Sequence, residues 1–92
     1  VKSGINNFVK NAAVRYGEFN INVNSICPGG VYNTKDKNFK NKNFVRNYIS
    51  KVPLKRFAKP KDLVNAYCFL ASKKSSYITG VNLLIDGGYT LI

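Results

Sequence analysis

The 92-residue chain contains no histidine, tryptophan or methionine, two cysteines, and four acidic residues against 15 lysines and arginines. Without histidine the commonest general base and metal ligand is missing, so neither a Ser-His-Asp triad nor a histidine-based zinc site is available, and no metal is expected. Cys27 and Cys68 lack C-x-x-C spacing and sit in apolar segments. They read as buried small hydrophobes in a reducing, cytoplasmic setting, not as a disulfide framework. No apolar run approaches the ~20 residues of a membrane-spanning helix, so no membrane partner is expected. The stretch Val1-Lys2-Ser3-Gly4-Ile5 enters a helical pattern without the apolar core of a signal peptide, and the opening on Val1 with no methionine reads as a piece of a longer chain.

The sequence is 45% hydrophobic and 13% aromatic, too apolar for a disordered polyampholyte. A chain of this length makes one small domain that buries only about two-thirds of its unfolded surface, so its own core is marginal. The formal net charge of +11 is uneven: ten basic residues fall between Lys35 and Asp62 against only Asp36 and Asp62. Such a patch would suit nucleic acid or an acidic substrate. Yet 13 Asn and 12 Lys point to a compositional bias carried on solvated faces, and no recognised nucleic-acid module accompanies the charge. No nucleic-acid partner is expected.

Residues 2–16 predict an amphipathic helix, with Ile5, Phe8, Val9, Ala12 and Tyr16 on one stripe and Gly17 as the stop. Residues 19–27 alternate as a strand, with Asn20, Asn22 and Asn24 on the outer face, closed by the turn Pro28-Gly29-Gly30. The polar stretch Tyr32 to Lys42 reads as a mobile binding loop, and residues 43–51 as a short helix. Pro60 suits the first turn of a helix running to about Ala71, with Asp62 near its positive end. That helix is apolar on several sides and is expected to be deeply buried. A last strand lies within Tyr77 to Asp86, ended by Gly87-Gly88, and Asp86 reads as a structural strand end with nothing to pair it with Asp62. Helix, strand, loop, helix, helix, strand is the order of an α/β protein with a parallel sheet.

Five blocks in this order resemble the C-terminal half of the short-chain dehydrogenase/reductase family. They are Lys2-Ser3-Gly4; Ile21 to Ile26 with Pro28-Gly29-Gly30-Val31; Pro53-Leu54-Lys55-Arg56; Phe69-Leu70-Ala71-Ser72; and Tyr77-Ile78-Thr79-Gly80 with Ile85-Asp86-Gly87-Gly88. The set is most similar to the branch of 3-oxoacyl-carrier-protein reductases. The resemblance implies the C-terminal portion of a Rossmann-type doubly wound parallel sheet, with the N-terminal cofactor-binding half absent. It implies an oxidoreductase that uses NAD or NADP on a small-molecule carbonyl or alcohol, works as a homodimer or homotetramer, and is inactive as this piece alone.

By the same resemblance Lys2 is the catalytic lysine, which would hold the nicotinamide ribose and lower the pKa of a tyrosine three positions before Val1. Pro28, Gly29 and Val31 would meet the nicotinamide ring and carboxamide, and Asn33 or Thr34 would supply a polar contact in the place where many relatives have threonine. The substrate loop would be about 32–47. From another class altogether, the chain reads as a small basic binding or oligomerisation module without catalysis.

Overall fold

The computed structural model describes residues 2–91, and the side chains of Gly4 to Leu91. Helix α1 spans Lys2–Tyr16, strand β1 Ser25–Pro28, helix α2 Lys42–Ser50, helix α3 Pro60–Ala71 and strand β2 Asn82–Ile85. The strands pair in a two-stranded sheet. Ser25 N–H donates to Val81 C=O (2.9 Å), and four residues later Gly29 N–H donates to Ile85 C=O (2.8 Å). Equal steps along both strands mean a parallel pair, and the joining segment with α2 and α3 is the crossover that such a pair requires. The expected α/β order is what the chain adopts.

Contacts divide the chain into two units, Val1–Cys27 with Asn65–Leu84, and Pro28–Val64 with Ile85–Ile92. In the first, α1 buries Val9 and Ala13, one turn apart, each 5% exposed. The helix is where the periodicity puts it, but its apolar stripe divides. Ile5, Phe8 and Tyr16 stay exposed, and Ala13 takes the place the pattern gave them. The α-helix stops at Tyr16, before Gly17, as expected, and a further turn follows. Gly17 continues into a 3-10 turn, and Asn20 makes the left-handed turn at φ 61°, donating its N–H to Gly17 C=O. Asparagine tolerates that conformation because its short polar side chain bonds locally.

The expected strand over 19–27 is shorter and later, because its first half pairs mostly through side chains, with one main-chain bond from Gly80 N–H to Val23 C=O (2.8 Å). Asn22 Nδ2 donates to Ser76 C=O (3.1 Å), and Val23 N–H donates to Thr79 Oγ1 (3.0 Å). Asn24 is held at both ends, its Nδ2 donating to Ile78 C=O (3.0 Å) and its Oδ1 accepting Val81 N–H (2.9 Å). Asn22 and Asn24, which the alternation sets opposite the apolar face, are the fastenings. Ser75, 1% exposed, donates its hydroxyl to Leu70 C=O and is satisfied in the interior.

Two expectations about burial fail. No residue of α3 is buried, and Tyr67 is 58% exposed. A helix apolar on several sides has more apolar surface than one packing face covers. Cys68, on the same helix, is exposed, and Cys27 is only half-buried. Cys27 donates its Sγ–H to Asn82 Oδ1.

In the second unit the core is Val52 (1% exposed) and Phe57 (8%), extended by a run of aromatic contacts. Phe39 meets Tyr32, Phe44 and Phe57 edge-on, and Tyr48 stacks on Phe57 and on Tyr89. The 32–42 segment is not a structureless loop. Asn33 Oδ1 accepts Lys35 N–H, Asp36 Oδ1 accepts Asn38 N–H, and Asn41 Oδ1 caps α2 by accepting the N–H of Asn43 and Phe44. Each Asn or Asp opens a turn whose free amides it satisfies.

Candidate functional site

The site grows from the turn after β1. Gly29 approaches the main chain of Asp86 so closely that a Cβ there would lie 2.9 Å from Asp86 Cα. Gly30 is equally constrained: a Cβ would sit 2.6 Å from Tyr48 Oη, the atom that accepts its N–H at 2.7 Å. Val31 then forms a parallel bridge with Ala58. The bonds of that bridge come from its neighbours, since Ala58 N–H donates to Gly30 C=O (2.9 Å) and Tyr32 N–H donates to Ala58 C=O (2.8 Å). A parallel bridge turns the central residue's own N–H and C=O the other way. Among the described residues they have no main-chain partner. Val31 therefore presents one donor and one acceptor side by side.

A cleft of about 200 Å³ adjoins the turn at Gly30, and its lining includes Gly30, Tyr48, Arg56, Asp62 and Asp86. Asp62 and Asp86, which nothing in the sequence brings together, both reach it. Each is already committed. Asp62 Oδ2 accepts from Arg56 Nη1 (2.9 Å) and from Lys59 N–H (2.8 Å), reaching back from the first turn of α3 as a capping-box acid does. These two bonds, that from Arg56 first, hold its carboxyl below the usual carboxylate range. Asp86 is lowered first by the Thr90 hydroxyl (2.8 Å) and then by the amides of Gly88 and Thr90. Ionised carboxylates with their lone pairs in use are structural, and Asp86 keeps the role the sequence suggested.

The residues expected at a site separate into three groups. The Lys2 main chain opens α1, but its side chain lies outside the described residues. Pro28, Gly29 and Val31 fall together on the turn described above. Asn33 and Thr34 are exposed just beyond it, and Asn33 Oδ1 is taken up by Lys35 N–H. Tyr48, Ala58, Arg56 and Tyr89 were not anticipated. In the sequence Tyr48 is one of several apolar residues of the short helix at 43–51, and its only signal is a hydroxyl, which needs a partner when covered. A second hollow, of about 660 Å³, has a floor of Phe39, Val45 and Ile49, with Lys42, Arg46 and Lys55 among its lining. Lys55 stands at φ 57°, rare for a side-chain-bearing residue, and its Nζ donates to Ser50 C=O (2.8 Å). No helix of the described residues is long and apolar enough to cross a membrane, and none of their His, Cys, Asp and Glu side chains group as metal ligands.

Among known proteins, the family described as Enoyl-(Acyl carrier protein) reductase matches residues 1–90. The chain is 38% identical over 91 residues to a 7alpha-hydroxysteroid dehydrogenase of Paraclostridium sordellii, covering 98% of this chain and 34% of that enzyme. In structure it is similar to a 4-hydroxyisoleucine dehydrogenase complexed with NADH, at a TM-score of 0.91 and 34% identity, over 99% of this chain and 38% of that one. It is also similar to a short chain dehydrogenase of Leptospira borgpetersenii with bound NAD+, at a TM-score of 0.83 and 45% identity, over 97% of this chain and 33% of that one. The chain spans about a third of the length of the curated relatives it matches.

Proposed function

The chain belongs to the short-chain dehydrogenase/reductase family, and on that premise we propose that it forms the nicotinamide-facing and substrate-facing part of an oxidoreductase acting on a small carbonyl or alcohol. The observation that carries this reading is the free main-chain edge of Val31, which offers a donor and an acceptor as a primary amide does. A carboxamide matches it, oxygen to N–H and NH2 to C=O. When bound, NAD or NADP supplies or accepts the hydride. Gly29 and Gly30 let the turn that carries this edge close against Asp86 and Tyr48. With Asn33 Oδ1 occupied, the Asn33 Nδ2 amide and the exposed Thr34 hydroxyl are the polar groups left to serve beside it.

Lys2 is assigned the catalytic cation. A phenol titrating near ~10 must be brought down to exchange a proton at neutral pH, and an adjacent ammonium favours its ionised form. The tyrosine it would act on belongs to the whole protein, not to these residues. Substrate contacts are assigned to 32–47. The lysine- and arginine-lined hollow there would favour a substrate with an anionic group, whether or not it belongs to the narrower branch of 3-oxoacyl-carrier-protein reductases. The relatives differ by name in what they act on, so no particular substrate is inherited.

The reading is tested in the whole protein by Lys2→Ala. It is expected to lose roughly 10²- to 10⁴-fold in kcat/KM, the range of general acid–base assistance, while the fold persists. Wild-type kcat/KM in that variant would sink the assignment. The 92 residues alone are expected to show no cofactor binding by calorimetry.

We further propose a cytoplasmic homodimer or homotetramer. In its support, Phe8 (72% exposed), Val14 (85%), Tyr67 (58%) and Leu91 (82%) leave apolar surface that monomers seldom show. Sedimentation of the whole protein as a monomer at micromolar concentration would refute this.

A further inference from the structure

We infer that Tyr48 is a positioning residue that aims the carboxamide-binding edge of Val31; this rests on the nicotinamide reading above. Gly29-Gly30 is the least restrained dipeptide a turn can contain, since neither residue has a Cβ to limit its dihedrals. Three bonds remove that freedom. Gly29 N–H is held by Ile85 C=O (2.8 Å), Gly30 N–H by Tyr48 Oη (2.7 Å), and Gly30 C=O by Ala58 N–H (2.9 Å). The last peptide fixes the direction of Val31 N–H, because the C=O and N–H of one trans peptide point opposite ways. The middle peptide, between the two glycines, is held on its N–H side by Tyr48 alone.

The tyrosine oxygen is itself fixed. Its ring stacks on Phe57 (centroids 4.6 Å apart, planes at 4°) and on Tyr89 (5.4 Å, 10°). Two near-parallel neighbours restrain the ring, and the absent Cβ of Gly30 leaves its oxygen just the room it takes. Tyr48 touches neither the carboxamide nor the hydride; it acts through Gly30 on Val31.

The test compares the affinities of the whole enzyme, by calorimetry, for NAD(P)H and for ADP-ribose (2′-phospho-ADP-ribose where the cofactor is NADPH), the same nucleotide without nicotinamide. The wild-type enzyme is expected to bind NAD(P)H more tightly than ADP-ribose. Tyr48→Phe keeps the stacked ring and removes only the hydroxyl. It is expected to narrow that gap by about tenfold, one hydrogen bond's worth, with ADP-ribose affinity unchanged. Tyr89→Leu keeps the hydroxyl and loosens the stack, and is expected to narrow the gap by less; it decides the matter should Tyr48→Phe fail to fold. A gap that survives in the variants, or an equal loss of both affinities, would overturn the role of Tyr48 and leave the nicotinamide reading standing. A wild-type enzyme with no gap at all would overturn the nicotinamide reading, and the inference with it.

Discussion

The two units of this chain solve the same problem with opposite means. The first has the regular elements, all of α1 and most of α3 and of both strands, yet it buries little: Val9, Ala13 and Ser75 lie inside while Phe8, Val14, Tyr67 and Tyr77 are exposed. The second is mostly irregular, with one nine-residue helix lying wholly within it, yet it encloses Val52 and Phe57 and links five further aromatic rings around them. Regularity and consolidation are therefore separable. A helix pairs its interior backbone groups within itself, so the first unit can carry regular elements with little burial of its own. The irregular unit has no such internal credit and must be held by side chains, which is why rings, caps and an ion pair crowd there. The candidate site belongs to the second kind, where a few specific contacts set the course of a glycine-rich turn.

That contrast can be broken most sharply at Phe57. Truncation to alanine removes both the stacking surface of Tyr48 and the edge contact of Phe39, and should destabilise the second unit by about 3–5 kcal/mol in chemical denaturation. Phe8→Ala in the first unit deletes an equal ring that is 72% exposed, and should stay within about 0.5 kcal/mol. Comparable losses at the two positions would end the distinction.

Next in size is Asn24→Ala. Both ends of the Asn24 side chain are bonded, so the change strands Val81 N–H and Ile78 C=O and should cost about 1–3 kcal/mol. A neutral result would show that the 22–24 segment is held by its main chain, as a continuous strand would be.

The smallest effect concerns acid. Three of the four carboxylates, Asp36, Asp62 and Asp86, lie in the second unit, and Glu18 is the only one in the first. Asp62 and Asp86 are held below their ordinary values by Arg56 and by Thr90 respectively. A lowered folded pKa stabilises above the unfolded value of ~3.9, and the contribution is lost as pH falls through the folded value. The second unit should therefore loosen first below about pH 4, with amide exchange rising at Gly88 and Thr90 before the α1 amides respond. Asp62→Asn should flatten part of that slope, and more so at low salt, because the Arg56–Asp62 pair is solvent-screened. Loss of α1 protection at the same pH would contradict the ordering.

The sequence by itself determined the elements whose causes are local. The end of α1 at Tyr16, the start of α3 at Pro60 with Asp62 in its first turn, the α/β order and the turn at Pro28-Gly29-Gly30 all follow from apolar spacing, capping and glycine within a few residues. The family resemblance was legible for the same reason, since its blocks are short and contiguous. Tertiary structure alone decided which stripe of α1 was covered, that α3 stayed exposed, and that the expected strand at 19–27 shrank to Ser25–Pro28. The bonds that replaced its first half join residues 54 to 57 positions apart. Tyr48 on Gly30 is the same case at a separation of 18. Periodicity reports what a segment would bury or bond, but the partner arrives from elsewhere in the chain. No pattern within the segment encodes where that partner will stand.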